Sequence, residues 1–408
     1  MPISAGDTAW ILVSSALVLL MTPGLALFYG GMARRKNLLS TIMMSFAIMG
    51  LVGVIWALWG YTLSFGADKG SFIGGLNFFG LMNVGTEGSD TYASTIPHLA
   101  FMAFQGMFAV ITVALITGAV VERIKFSSLM IFSTLWVTLV YAPVCHWVWG
   151  GGWLGGYGAL DFAGGTVVHI NAGVSALALV LLLGKRRGFR SEVMEPNNIP
   201  MVALGAGLLW FGWFGFNAGS SLMANGLAAN AFVATNLAAA AAGLTWMIIS
   251  WIHHRPSLLG TVTGAVAGLV AITPAAGFVA PIAAIPIGFG VSVICYYTII
   301  LIKEKLHFDD SLDVFAVHGM GGIWGALATG IFASSSVGGV SGLVEGNWSQ
   351  PGTQIVGILA VAAFAFAVTW ILGKILSVTI GLRVGSTEEM VGLDLSQHGE
   401  RAYGGLLR

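Results

Sequence analysis

Charge is what this chain has least of. Only 8% of its 408 residues are Asp, Glu, Lys or Arg, against about 25% in an ordinary soluble domain. Acidic and basic residues balance to a formal net charge of zero, so no basic surface invites a nucleic acid. Cysteine is nearly missing as well. Cys145 and Cys295 both fall inside apolar runs, which reads as packed thiols and neither a disulfide nor a metal pair. The N-terminus carries no basic region of the signal-peptide kind, Asp7 being the only charge ahead of the first apolar run.

Apolar length takes the place of charge. The chain is 57% hydrophobic, and runs of about 20 residues, enough to span a bilayer, recur from end to end. This predicts an all-α polytopic membrane protein. The 58 glycines are about twice the usual share of ~7%. In lipid, where apolar contact drives no association, small residues let helix backbones approach and pack.

Eleven transmembrane helices are expected, at residues 8–31, 39–66, 97–121, 127–149, 162–184, 200–222, 227–252, 257–275, 277–302, 314–334 and 351–380, with the division near Gly277 the least marked. Loops alternate sides, and the basic residues test the count. Of the 17 Lys and Arg residues, only Lys69 falls on one side; the rest, among them Arg34, Arg35, Lys36, Arg123, Arg186, Arg190, Lys303 and, in the tail, Arg408, fall on the other. The N-terminus is therefore expected outside and the C-terminus in the cytoplasm. Residues 1–384 form a transmembrane domain and 385–408 a cytoplasmic tail, which unaided reads as a flexible polar end.

Eleven divides as two five-helix repeats plus one. An odd number per repeat gives the halves opposite orientation, the inverted arrangement of many transporters with midplane sites. Two local matches support it. The fifth span carries Asp161 and then His169-x-x-x-Gly173, and the tenth Asp313 and then His318-x-x-x-Gly322. The first ends on Phe28-Tyr29-Gly30-Gly31, and the sixth carries Phe216-Asn217-Ala218-Gly219 near its end.

His169 lies eight residues past Asp161, roughly 12 Å along a helix, which puts a titratable ring near mid-membrane. Such a group faces a bundle interior or cavity and is a functional candidate. His318 arrives from the opposite direction, so the two can meet. The bland alternative is a histidine that bonds a neighbouring helix; the pairing weighs against it. Near the outer ends of neighbouring spans lie Phe104, Gln105, Phe108, Trp147, Trp149, Trp213, Phe216 and Ser220. Aromatic faces attract a cation, at about 0.5–2 kcal/mol. A bare cation cannot cheaply enter an apolar, imidazole-lined interior, where groups neutralise instead. A solute that sheds its proton suits such a path: ammonium becoming ammonia fits, potassium and sodium do not.

Several of these positions carry plainer readings too. Asp161 and Asp313 both precede helices and can cap them; for Asp161 capping and function coexist, while Asp313 reads as structural. Trp147 reads as an interfacial belt residue, and Phe104 and Trp213 equally as packing. His146 reads as structural, and His98, His253, His254 and His307 as solvated span ends.

The chain resembles the ammonium transporter family (the Amt/Mep/Rh group), and its bacterial and archaeal branch in particular. The resemblance is carried by Pro23-Gly24-Leu25-Ala26-Leu27-Phe28-Tyr29-Gly30-Gly31, Ala103-Phe104-Gln105-Gly106, Val148-Trp149-Gly150-Gly151-Gly152 and the stretch from Asp161 to Asn171. It continues in Gly212-Trp213-Phe214-Gly215-Phe216-Asn217-Ala218-Gly219-Ser220, Asp313-Val314-Phe315-Ala316-Val317-His318-Gly319, Gly392-Leu393-Asp394 and His398-Gly399-Glu400.

The resemblance implies that Trp149, Phe108 and Ser220 recruit ammonium, Phe108 and Phe216 close the pore, and His169 and His318 line it. Asp161 is implied as a buried acid needed for transport, with Phe104, Gln105 and Trp213 supporting. It also implies a homotrimer in the cell membrane, methylammonium as a second substrate, and a PII-type signalling protein as a cytoplasmic partner. No enzyme activity, cofactor or metal is expected. Two other functions compete: an ammonium sensor that keeps the transporter fold, and a membrane haem protein with the two histidines as axial ligands. No further histidine pair supports the haem.

Overall fold

The computed structural model describes residues 2–403. Ten helices in it are long and apolar enough to cross a membrane. They are α1 Ala5–Met32, α2 Arg35–Phe65, α3 His98–Val120, α4 Phe126–Tyr157, α5 Gly165–Leu183, α6 Ile199–Gly219, α7 Gly226–His253, α9 Pro281–Lys305, α10 Phe315–Phe332 and α11 Ser349–Thr379. A shorter apolar helix, α8 Leu258–Ile272, lies between α7 and α9. Each predicted span thus has a helix, with ends displaced by a few residues. Arg408, counted above with the basic side, and the end of the 385–408 tail lie outside the described residues.

Polar side chains set the helix starts. The first N–H groups of a helix have no partner within it. Ser4 Oγ accepts from Asp7 N at 3.2 Å, Asn198 Oδ1 from Met201 N at 2.9 Å, Asn225 Oδ1 from Ala228 N at 3.1 Å and Ser257 Oγ from Gly260 N at 3.0 Å. The predicted span at 162–184 begins late, at Gly165, because Gly164 sits at φ 117°, a conformation an α-helix cannot include. His169 is therefore in the second turn of its helix.

Close glycine contacts hold the bundle. On α1 and α6, a Cβ at Gly24 would press on Leu208 and Gly205, and one at Gly205 on Gly24 and Phe28. On α5 and α10, Gly173 sits against Gly319, and Gly322 against Gly165 and Ile170. These are the helices that the sequence paired across its two halves, and each pair packs on itself.

The Arg34 end of the bundle holds a buried ion network. Arg34 and Arg186 both reach Glu122, at 2.7 and 3.3 Å, and Arg186 reaches Asp309 at 2.8 Å. Arg123, with no exposed surface, donates to Ser311 Oγ at 2.7 Å and to Asp309 O at 2.6 Å. Burial works against the Glu122 carboxylate, but Arg186 and Arg34 together hold it below the usual range. Arg34, Arg123 and Arg186, three of the basic residues that mark one side of the sequence, are thus internal ties.

The tail, as far as it is described, is folded and docked. Helices α12 Ser386–Val391 and α13 Leu393–His398 rest on the start of α2. Lys36 Nζ donates to Glu389 O at 3.0 Å and Met390 O at 2.8 Å, Ser40 N to Asp394 Oδ1 at 2.7 Å, and Leu393 N to Asn37 Oδ1 at 2.8 Å. The flexible end expected from its polarity is not what these residues form. His98 departs from expectation too: it is buried, 2.5 Å from the Tyr61 hydroxyl.

Candidate functional site

The two membrane-depth histidines meet. His169 Nδ1 and His318 Nδ1 are 3.2 Å apart, with ring planes 20° from parallel. Each histidine lies on a π-helical turn, Gly165–Ile170 and Phe315–Met320. Such turns insert one residue into a helix and often sit at functional sites. The glycine four residues after each histidine admits the other helix's backbone, and this close crossing brings the rings into reach.

Asp161 fixes the His169 helix. Its Oδ1 accepts from Gly164 N at 2.8 Å and Gly165 N at 2.7 Å. Its Oδ2 accepts from Thr166 N at 2.8 Å, Thr166 Oγ1 at 2.7 Å and Val167 N at 3.1 Å. One carboxylate thus meets the N–H groups where the helix starts. Its backbone carbonyl accepts Trp149 Nε1 at 2.8 Å, so one residue orients both the histidine helix and the indole.

The counterpart of Asp161 is Asp310, and this corrects the match to Asp313. Asp310 Oδ2 accepts from Phe315 N, five residues on, at 2.7 Å, as Asp161 accepts from Thr166. Asp310 also stands eight residues before its histidine, as Asp161 does. Asp313 instead pairs with Lys303 at 2.6 Å, in a left-handed conformation at φ 62°. Burial, with Asp313 nearby, pushes the Asp310 carboxyl up to about 6.

Above the histidines, Phe108 and Phe216 stack with ring centres 4.2 Å apart. Phe216 and Trp213 lie 6.2 and 5.5 Å from the His169 ring, and Trp213 Nε1 donates to Thr273 Oγ1 at 2.8 Å. On the Trp149 side is a cavity of about 320 Å³ lined by Phe108, Trp149, Gln105, Ser220, Tyr92 and Thr91, among others. Trp149 meets Phe108 edge to face at 6.0 Å, and Phe104 meets it at 4.9 Å. Ser220 Oγ donates to Phe216 O at 2.9 Å, leaving its lone pairs free. Gln105 Oε1 is buried without a partner among the described residues. On the other side a narrower cavity of about 70 Å³ passes Trp213, His169 and His318 toward Tyr29 and Asp313.

Of the candidates named from the sequence, Gln105, Phe108, Trp149 and Ser220 line the larger cavity and Trp213, Phe216, His169 and His318 the smaller, while Asp161 and Phe104 line neither. Sequence reasoning missed Tyr92 and Thr91, which reach the cavity from a hairpin of Gly88–Ser89 and Ala93–Pro97; nothing in that loop signals it. It also missed Asp310, for which the repeated eight-residue spacing was the available signal. His146 is buried as expected, between Ser64 O and Asp68 Oδ1, both at 2.9 Å. Among the described residues no group of three or more His, Cys, Asp or Glu is placed to hold a metal.

Apolar helices long enough to cross a bilayer, enclosing two histidines in contact and cavities on either side of a phenylalanine stack, have the makeup of a membrane transport protein. Residues 9–403 match the family model described as Ammonium Transporter Family. The chain is 52% identical over 401 residues to the ammonium transporter of Bacillus subtilis, covering 98% of each. It is 51% identical to ammonium transporter Amt1 of Archaeoglobus fulgidus, covering 98% of this chain and 100% of that one. Among solved structures it is similar to Candida albicans Mep2, with TM-score 0.89, 38% identity and coverage of 98% and 91%. It is likewise similar to the solved structure of a sensor Amt protein, with TM-score 0.89, 29% identity and coverage of 96% and 98%. The chain belongs to the ammonium transporter family, and it is a multi-pass protein of the cell membrane.

Proposed function

We propose that the protein transports ammonium by recruiting the cation at the Trp149 cavity, removing a proton there, and passing ammonia along the histidine pair. The observation that carries the reading is the 3.2 Å contact of the two Nδ1 atoms beneath the stacked phenylalanines. Only one proton fits between two such nitrogens, so one ring donates and the other accepts. The path beyond the gate then offers neutral rings and apolar walls, which accept a small neutral base far more readily than an ion. In the recruiting cavity the faces of Phe108 and Trp149 attract a cation, and the Ser220 lone pairs accept its N–H.

In this reading eleven helices cross the bilayer as two inverted five-helix repeats plus α11. The N-terminus and the Trp149 cavity face outward; the Arg34 network and the docked tail face the cytoplasm, where a PII-type partner would bind. Residues 1–384 are the transmembrane domain and 385–408 the tail. Exposed Leu204, Phe211, Ile248, Phe289 and Leu359 supply apolar surface for lipid and for the neighbours of a homotrimer. The removed proton returns outside or crosses by a separate route, giving electroneutral or electrogenic passage.

Purified protein in liposomes, given an inward methylammonium or ammonium gradient, should show flux dependent on His169 and His318, with currents separating the two proton outcomes. No flux from the wild type would end the reading. A sensor role is favoured only by the likeness to the sensor Amt protein; signalling that persists in a transport-dead variant would support it. The haem alternative is weakened because the two Nδ1 atoms are in hydrogen-bond contact at 3.2 Å and the ring centres only 5.3 Å apart, which leaves no room for an iron between the imidazoles.

A further inference from the structure

The eleventh helix stands outside the two repeats, yet it holds the entrance to the site. Its Gln354, only 3% exposed, accepts from Leu160 N through Oε1 at 2.7 Å. Through Nε2 it donates to Leu160 O at 2.8 Å and to Ala326 O of α10 at 3.0 Å. One acceptor and two donors are thereby satisfied, and only one orientation of the amide does this. One turn earlier Gln350 Nε2 donates to Gly158 O at 3.1 Å.

Leu160 immediately precedes Asp161, whose carbonyl holds the Trp149 indole and whose carboxylate caps α5. An irregular segment has no helix or strand to fix it, so its buried backbone groups depend on such side chains. At the Arg34 end the corresponding segment, around Asp309, is gripped by Arg123 and Arg186. At the Trp149 end a neutral amide performs that task, which keeps fixed positive charge away from a cavity meant for a cation.

We propose that Gln354 is a positioning residue for ammonium recruitment: by clamping both backbone groups of Leu160 it sets where Trp149 stands. This rests on the recruiting role proposed above for Trp149. Without the clamp the Leu160 N–H and C=O must seek other partners, and the Asp161 carbonyl and the indole move with them. The effect falls on capture of the cation and leaves the histidine pair to conduct.

The test uses full-length protein in proteoliposomes, with methylammonium as the probe. Gln354→Met should raise the apparent KM about five- to tenfold and change the maximal rate by no more than about twofold, the pattern of lost binding and not lost turnover. A readout independent of transport is the 19F spectrum of protein labelled with 5-fluorotryptophan. Among 14 tryptophans, the Trp149 signal is the one lost in Trp149→Phe, and it should shift in Gln354→Met.

Thr369→Val serves as the control, since Thr369 lies elsewhere on α11 and bonds Trp136 and Ser175. It should lower the melting temperature but leave KM and the Trp149 signal in place. Gln350→Met should give a smaller change in the same direction, and it replaces Gln354→Met if that variant does not fold. Unchanged KM and an unmoved Trp149 signal would overturn the proposal, as would equal changes in Thr369→Val. If the wild type carries no flux, the recruiting reading fails by itself, while the 19F shift still decides the positioning.

Discussion

Gly173 lies against the backbone of Gly319, one turn past the paired imidazoles, so that α5 and α10 cross with no side chain between them. Gly173→Val should force the helices apart and part His169 from His318. Overpacking of this kind costs about 1–3 kcal/mol. The melting temperature should fall and methylammonium flux be lost together. A variant that melts lower yet transports normally would mean that the crossing does not set the pair.

Trp149 lines the cavity proposed to recruit ammonium, beside Phe108 and Ser220. Trp149→Leu keeps an apolar side chain but removes the ring quadrupole, worth about 0.5–2 kcal/mol toward a cation. Apparent KM for methylammonium should rise by roughly 2- to 30-fold, since 1.36 kcal/mol is tenfold. Equal affinity in the variant and wild type would remove Trp149 from the recruiting role.

His169→Asp places a fixed negative charge among apolar walls, offsetting part of the cost of burying a cation. Potassium-dependent current should appear where the wild type shows none. Continued exclusion of potassium would show that selectivity lies elsewhere, with the phenylalanine stack the next residues to examine.

Asp310 gives stability a pH dependence. Its carboxyl, pushed up to about 6 by burial and by Asp313, binds a proton more tightly in the folded chain than in the unfolded one. Its contribution is therefore complete below the ordinary carboxyl value and is lost as the pH rises toward and through about 6. Asp310→Asn keeps an oxygen for Phe315 N and does not titrate. Its melting temperature should gain on that of the wild type between about pH 4 and pH 7. Parallel melting curves across that range would contradict the assignment.

The spans were legible because long apolar runs in a nearly uncharged chain have few uses besides crossing a bilayer, and the histidine pair because imidazoles at membrane depth are costly. Much of the remainder depends on contacts that no local pattern carries. Asp313 drew the match to Asp161 by its nearness to His318, although the equal spacing belongs to Asp310. Tyr92 reaches the cavity from a hairpin whose sequence reads as loop. The tail reads as loose because it is polar, yet its order comes from hydrogen bonds to Lys36, Asn37 and Ser40, more than 350 positions away in each pair. Gln354 was one polar residue in a long apolar run, and only the fold shows that it faces Leu160.

The π-helical turns at Gly165–Ile170 and Phe315–Met320 each take up one residue more than regular winding needs. One residue of an α-helix is about 100° of rotation. Deleting a single residue within either turn would let the helix rewind and swing everything beyond it around the axis by that angle. Residue count in these two turns is therefore a steering device. A one-residue indel would blind the pair even with both imidazoles still encoded.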